Sequence, residues 1–190
     1  LDPENLPRQR DLGVALDKVS DVKQAMGDTA GAYEMQSAAL ELRRSLVAAD
    51  LIVAQYRRDM GLSLEKLANM YLADFDAASA EPLISESVAM RTELAGAAPD
   101  DSFALRDLSI AQNIHAATLM QLGRNSEAIV AAQASLATVD RLLQFGPDDP
   151  EYIHDRLVTL NRLGDAEVAL GDNRAATVTF RDMVAMGNRL

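Results

Sequence analysis

Residues 106–123 read RDLSIAQNIHAATLMQLG, and a related stretch occurs three more times along the chain. Every copy has an aspartate near its start, and Asp11, Asp59, Asp107 and Asp155 are spaced 48 residues apart. A strict period of this size is typical of a stacked array in which each repeat buries its apolar faces only against its neighbours. The sequence therefore predicts one array of four units. These units span about 1–49, 50–97, 98–145 and 146–190.

The composition favours closely packed helices. Of the 190 residues, 48% are hydrophobic but only 4% are aromatic, and alanine and leucine supply most of the apolar content. Because the chain has no cysteine, disulfide bonds and thiolate metal sites are excluded. No stretch approaches the roughly 20 apolar residues that a membrane-spanning helix needs. We therefore expect a cytoplasmic protein that does not insert into a membrane.

The charge restricts the partners. A formal net charge of −11 argues against nucleic acid and anionic lipid, because both attract basic surfaces. The same charge is compatible with a basic protein or peptide partner.

Each unit contains a first helix (A) and a second helix (B). In the first unit, apolar residues follow helical spacing from Leu12 to Met26, Gly27 suits the left-handed end of a helix, and Asp28 is a natural cap for the next one. Repeated over four units, this pattern predicts eight antiparallel helices, each about 20 residues or ~30 Å long.

The second unit departs from this pattern. No helix breaker occupies residues 49–53, but a solenoid still requires the chain to reverse there, so we expect a bend near Asp50. Phe75 stands where the other units have glycine at the turn between the helices. Pro82 falls where helix B should be under way, and proline is tolerated only in the first helical turn. We therefore expect helix B of this unit to start late, capped by Ser79.

Two rows of small residues recur with the same period. The row in helix A is Ser20, Ala68, Ala116 and Gly164, and the row in helix B is Ala32, Ala80, Ala128 and Ala176. Helix axes about 8–10 Å apart leave room for no more than a methyl group where A crosses B. The fourth unit adds the large residues Leu160, Leu163 and Phe180, with Gly171 at the turn.

These residues resemble the signature of the tetratricopeptide-repeat (TPR) family, in a long variant with 48 residues per repeat. The resemblance covers essentially the whole chain and implies an all-α fold, an α-solenoid of four helix-turn-helix repeats wound as a right-handed superhelix. The chain departs from the family pattern at the position of the helix-A aromatic. That position holds Lys23, Tyr71, Leu119 and Glu167.

No catalytic motif is found, so we predict a non-enzymatic chain without a cofactor or a metal. His115 aligns with the apolar Val19, Leu67 and Leu163 and has no carboxylate among its helical neighbours, so we expect it to be packed in the core. His154 lies in a charged first turn and is expected to be solvated. The periodic aspartates are expected to pair with an arginine of a neighbouring unit, because Arg10, Arg58 and Arg106 share their period.

The A helices of such repeats line the concave face, and spacing of i, i+3, i+7 and i+10 selects four rows there. The two outer rows are mostly apolar, whereas the two inner rows are mainly acidic or amide residues that suit a peptide backbone. An alternative is that the apolar rows only pack repeats together and that the polar rows are a solvated surface. The predicted groove residues are Asp17, Asp21, Gln24, Glu65, Asn69, Leu72, Asn113, Met120, Asn161 and Asp165.

We therefore predict a protein–protein interaction scaffold that binds a peptide or partner segment, expected to be basic, in this groove. Two alternatives remain open at this point. The chain could be a regulatory or sensor segment of a larger bacterial signalling or effector enzyme whose catalytic domain lies elsewhere, or it could be a structural spacer. Function depends on the surface carried by a fold, and the repeat pattern does not identify the partner.

The two ends of the chain give a testable expectation. Leu1-Asp2-Pro3 resembles a linker between units. A helix that packs against one partner buries a single stripe, so the last helix cannot bury all four of its large apolar residues, which are Phe180, Met183, Val184 and Met186. We expect that the natural protein continues with further repeats or that the terminal helices self-associate. Light scattering tests self-association of the isolated chain, and a strict monomer at high concentration with all four side chains buried would contradict this expectation.

Overall fold

The computed structural model describes residues 5–188, and this part of the chain folds into eight α-helices without a β-strand. The linker-like residues Leu1-Asp2-Pro3 lie outside the described residues. The helices are α1 (Leu6–Ala25), α2 (Thr29–Ala49), α3 (Ala54–Ala73), α4 (Ala77–Ala97), α5 (Ser102–Gln121), α6 (Asn125–Phe145), α7 (Pro150–Leu170) and α8 (Asn173–Gly187). The odd-numbered helices are the A helices, and the even-numbered helices are the B helices.

Each helix packs against the next one along the chain, as expected for a solenoid of helix pairs. The A helices α3, α5 and α7 also contact one another directly, whereas successive B helices within residues 5–188 make no comparable contact. The array therefore curves toward the A helices, which form its concave face. The all-α helix-turn-helix repeat architecture expected from the sequence is confirmed.

The turns between A and B helices repeat the same local chemistry. Gly27, Gly123 and Gly171 all adopt positive φ, a region that residues with a side chain rarely enter. An aspartate caps the B helix in three of the four units, as when Asp28 accepts from the backbone N–H of Gly31 at 2.9 Å, whereas Arg124 precedes α6 without a side-chain cap. These turns reverse the chain within a few residues and set A and B antiparallel.

The second unit keeps these turns despite its unusual sequence. The chain bends at Asp50, as expected, where α2 ends in an extended conformation and the Asp50 carboxylate accepts from the N–H of Ile52 at 3.0 Å. Phe75 replaces the turn glycine but adopts the same left-handed conformation, with φ of 60° and an exposed ring. A side chain in this conformation costs roughly 1–2 kcal/mol.

The expectation that helix B of the second unit starts late at Ser79 is wrong. The helix α4 begins at Ala77 and is capped by Asp76, whose carboxylate accepts from the N–H of Ser79 at 3.0 Å. Pro82 lies inside the helix, where its missing N–H leaves the carbonyl of Ala78 without its usual donor. That carbonyl belongs to the exposed first turn, so water can satisfy it without breaking the helix.

The small residues of both rows are buried within the helix array at all eight positions. Ser20 also donates its hydroxyl hydrogen to the carbonyl of Ala32 at 2.9 Å, so α1 and α2 are hydrogen-bonded at these positions. At Gly164 even a methyl group would overlap the ring of Phe180, which explains why the fourth unit has glycine there.

The periodic aspartates pair with arginines of the preceding unit, which confirms the prediction. Each pair joins one A helix to the next A helix and is partly exposed. The pairs are Arg10–Asp59 at 2.6 Å, Arg58–Asp107 at 3.3 Å and Arg106–Asp155 at 2.7 Å. A single pair of this kind contributes up to about 1 kcal/mol, but the repeated ladder also fixes the register between units.

The terminal helices expose apolar positions that inner helices bury. Val22 of α1 is 58% exposed, while its equivalents in the other A helices are buried. Val184 of α8 is 67% exposed, whereas its equivalent Leu40 is 3% exposed. Of the other side chains predicted to be incompletely covered, Phe180, Met183 and Met186 are half-buried.

Replacing Pro82 by alanine should stabilise the chain, because the new N–H restores the bond to the Ala78 carbonyl and the ring clash disappears. We expect Pro82→Ala to raise the free energy of unfolding by roughly 1–2 kcal/mol. This figure allows for the greater conformational entropy that alanine gives the unfolded chain, which offsets part of the gain. Pro150, the first residue of α7, is the matched control, and Pro150→Ala should lower the same quantity by up to about 1 kcal/mol. Urea unfolding followed by circular dichroism measures both, and equal effects would contradict the interpretation of α4.

Candidate binding groove

Two pockets open on the face formed by the A helices. The α5–α7 pocket encloses about 280 Å³, and the α1–α3 pocket encloses about 200 Å³. Asn69 of α3 is exposed and borders both pockets, so they lie on either side of one amide side chain. The concave face therefore has two adjacent recesses, as an extended ligand crossing several A helices would require.

Two residues that line the α5–α7 pocket each have a buried polar atom without a hydrogen-bond partner. Asn113 donates from Nδ2 to the hydroxyl of Thr159 at 2.9 Å, and this leaves its Oδ1 as an unused acceptor. Arg162 contributes an unused donor, its Nε. A buried polar atom that lacks a partner costs about 1–3 kcal/mol, so a ligand offering an N–H and a carbonyl would gain from both atoms. A peptide group offers this combination.

The α1–α3 pocket contains a third such atom. Gln36 of α2 is only 1% exposed, and its Nε2 has no hydrogen-bond partner. At the rim, Lys66 donates to the carboxylate of Asp21 at 2.9 Å across the first two units. The pocket thus offers a buried amide donor beneath an exposed ion pair.

The outer apolar row forms one continuous edge of the face. Its four members come from four different A helices, yet their exposure is nearly the same. The exposed fractions are 41% for Val14, 43% for Leu62, 39% for Ile110 and 40% for Val158. This regularity places the row along the surface of the groove, and Ile110 and Val158 also line the α5–α7 pocket.

Two of the predicted groove residues, Asp17 and Glu65, are instead buried between A and B helices. Asp17 forms an ion pair with Arg43, which also donates to the hydroxyl of Ser63 in the next unit. The prediction for these two residues considered the A helix alone and overlooked the arginines in the B helices. The signal was present in the sequence, because Arg43 and Arg91 share the 48-residue period and each follows its acid by 26 residues.

Like Asp17 with Arg43, Glu65 forms a buried ion pair with an arginine of a B helix, here Arg91. Its carboxylate accepts from Nε of Arg91 at 3.0 Å and from the hydroxyl of Ser87 at 2.7 Å. The same arginine also donates to Asp107 at 2.8 Å, which links the network to the ladder of the next unit. Burial raises the pKa of Glu65, while Arg91 and Ser87 act to lower it.

The remaining predicted residues fall into two groups. Asp21, Gln24 and Asn69 line the α1–α3 pocket, and Asn113 lines the α5–α7 pocket. The other four lie outside the lining of both pockets. Leu72 and Met120 are half-buried against apolar clusters, and the exposed Asn161 donates to Asp165 at 3.1 Å.

Several residues of the groove were not predicted. Gln36 belongs to a B helix, and Arg162 lies beside the chosen row, so the spacing rule for A helices could select neither. His154, expected to be solvated, is exposed and also lines the α5–α7 pocket.

His115 does not occupy the fully packed position that the alignment predicted. It is half-buried on the other side of α5, near carboxylates of other helices. Burial lowers its pKa, Glu81 and Glu127 raise it, and Arg124 lowers it. The prediction looked for carboxylates only among the neighbours of His115 on its own helix and therefore overlooked these groups.

Within residues 5–188, no group of three or more histidine, aspartate or glutamate side chains is arranged to hold a metal ion. None of the described helices is long and apolar enough to cross a membrane.

Comparison with solved structures finds TPR-like repeats. Two crystal structures from Podosopora anserina, described as nearly identical TPR-like repeats of a putative kinesin light chain, align with almost the entire chain. One of them, a form with a single substitution, has a TM-score of 0.43 and 18% identity over 94% of this chain and 95% of that one. The other has a TM-score of 0.41 and 16% identity over 97% of each chain. Neither family models nor curated proteins give a match.

The contribution of the buried ion pair Glu65–Arg91 to stability can be tested by substituting the residues that another unit has at the same two positions. The third unit has Asn113 and Val139 at the equivalent positions. Arg91→Val alone should lower the free energy of unfolding by roughly 3–5 kcal/mol, because Glu65 remains buried without its partner. Adding Glu65→Asn should recover at least half of this loss, as measured by urea unfolding. A double variant no more stable than Arg91→Val would show that the ion pair is not the cause.

Proposed function

We propose that this chain is a non-catalytic protein–protein interaction scaffold that binds an extended peptide or partner segment along the groove of its A helices. The observation that carries this proposal is the set of buried, unpartnered polar atoms in two pockets that share Asn69. A peptide lying across these pockets can donate an N–H to Asn113 and place carbonyls against Arg162 and Gln36.

The apolar row supports the same occupant. A peptide in extended conformation directs alternate side chains to opposite sides, so one set can pack on Ile110 and Val158 while the backbone meets the amides. The net charge of −11 favours a segment that carries lysine or arginine. Asp21, which lines the α1–α3 pocket, is the carboxylate proposed to meet such a side chain.

The proposal is tested by comparing amide variants in a pull-down from host lysate. Asn69→Ala removes an exposed side chain that borders both pockets, so it should weaken capture by roughly 1–3 kcal/mol without a comparable loss of stability. Asn161→Ala is the matched control, because Asn161 is exposed on the same face but outside both pockets. Asn113→Ala should weaken capture as Asn69→Ala does.

A partner retained by wild type and by Asn161→Ala, but lost by Asn69→Ala, would support the groove. Capture should also decrease when salt is added, because exposed charge pairs are screened. A partner that both variants retain equally, and that salt does not release, would contradict the proposal.

A further inference from the structure

A third recess lies on the side of α5 that faces away from the groove. This recess, the α4–α6 cleft, has α5 as its floor and the B helices α4 and α6 as its walls, and it encloses about 630 Å³. Val88, Leu119 and Val130 make its surface mainly apolar, and His115 adds an imidazole. Ligand sites of proteins commonly measure about 300–1,000 Å³ and combine an apolar lining with a few polar groups.

In the preceding unit, two aromatic rings occupy part of the equivalent space and leave a smaller recess of about 340 Å³. Tyr33 of α2 and Tyr71 of α3 pack there with ring centroids 5.0 Å apart, and the hydroxyl of Tyr33 donates to Asp74 at 3.0 Å. Forty-eight residues later, the same two positions hold Glu81 and Leu119. The α4–α6 cleft therefore lacks the aromatic pair that the preceding unit has at the equivalent positions.

His115 adds to the difference between the units. Its equivalents Leu67 and Leu163 are buried, whereas the imidazole of His115 is half-buried on the floor of the cleft. Because its ring nitrogens can donate or accept, His115 can bond a polar group at the edge of an aromatic ring.

The rim of the cleft carries a net negative charge. Arg124, in the turn before α6, donates to Glu81 of α4 at 2.6 Å and to Glu127 of α6 at 2.6 Å. These three groups are the charges that act on His115. Burial favours the neutral form of His115, so the imidazole adds no positive charge. The carboxylates of Glu81 and Glu127 share the single guanidinium of Arg124, which leaves a net charge of −1 that a basic side chain can neutralise.

We propose that the α4–α6 cleft binds an aromatic side chain of a partner protein that has a basic residue next to the aromatic one. The ring occupies the space that tyrosines fill in the preceding unit, above Leu119. The ammonium or guanidinium group meets Glu81 and Glu127 at the rim, and a hydroxyl on the ring reaches His115. This site is separate from the groove, so one scaffold can hold partner segments on both faces.

The two histidines allow each face to be observed separately by NMR. His115 lies in the cleft and His154 lines the groove, and the chain has no other histidine. His115→Leu, which introduces the residue found at positions 67 and 163, assigns the two sets of imidazole signals. The probes are blocked tripeptides with the sequences Lys-Tyr-Lys, Lys-Leu-Lys and Glu-Tyr-Glu, each titrated into the 190-residue chain.

We expect Lys-Tyr-Lys to shift the signals of His115 and to bind about tenfold more tightly than either other tripeptide, since one lacks the ring and the other has the wrong charge. Equal shifts from Lys-Leu-Lys and Lys-Tyr-Lys would overturn the aromatic assignment. A shift confined to His154 would place the peptide in the groove and overturn the cleft site. Binding of tyramine as tight as that of Lys-Tyr-Lys would overturn the assignment to a partner protein.

Substitutions at Glu81 provide the matched test. Glu81→Tyr places in the cleft the residue that the chain has at position 33, and it should abolish the shift of His115. Glu81→Gln removes the charge without filling the space, and it should weaken binding of Lys-Tyr-Lys about threefold to tenfold. Retention of full affinity in folded Glu81→Tyr would show that the ring binds elsewhere.

Discussion

Each helix pair depends on close packing, for which helix A has a residue no larger than alanine or serine buried against helix B. Ser20 lies against Ala32 in the first unit, and Gly164 leaves room for Phe180 in the fourth unit. Because this packing sets the distance and the rotation of the two helices, it also decides which positions of helix A face the core and which face solvent. The groove and the cleft are both consequences of that rotation.

The sequence predicted what a single helix or a strict period can determine. The small residues and the arginine–aspartate ladder follow from chemistry repeated every 48 residues, and so do the turn glycines and aspartate caps except at Phe75 and Arg124. The burial of Asp17 and Glu65 was missed, because helix A alone does not indicate it and the matching period of Arg43 and Arg91 in the B helices was not used. The predicted start of α4 at Ser79 was also wrong, because packing against neighbouring helices holds α4 together at Pro82, where an isolated helix would break.

The candidate sites lie where a unit differs from its neighbours. The first two units neutralise the inner acid with an arginine, whereas the third unit has Asn113 and Val139 and is left with an unpartnered carbonyl oxygen in the groove. The cleft arises in the same way, because Glu81, Leu119 and His115 replace two tyrosines and a leucine. Sequence analysis could not find the cleft, since its volume depends on what three helices together fail to fill.

The ladder of ion pairs has a consequence for how such a chain can change in length. Every inner unit carries an arginine that matches the following unit and an aspartate that matches the preceding one. Deleting or duplicating one complete period, for example by recombination between repeated gene segments, brings an arginine and an aspartate together again at the new junction. An insertion of any other length inside a helix would separate them, because residues one position apart on a helix do not face the same neighbour. Arrays of this design can therefore grow or shrink only by whole units while every junction remains paired.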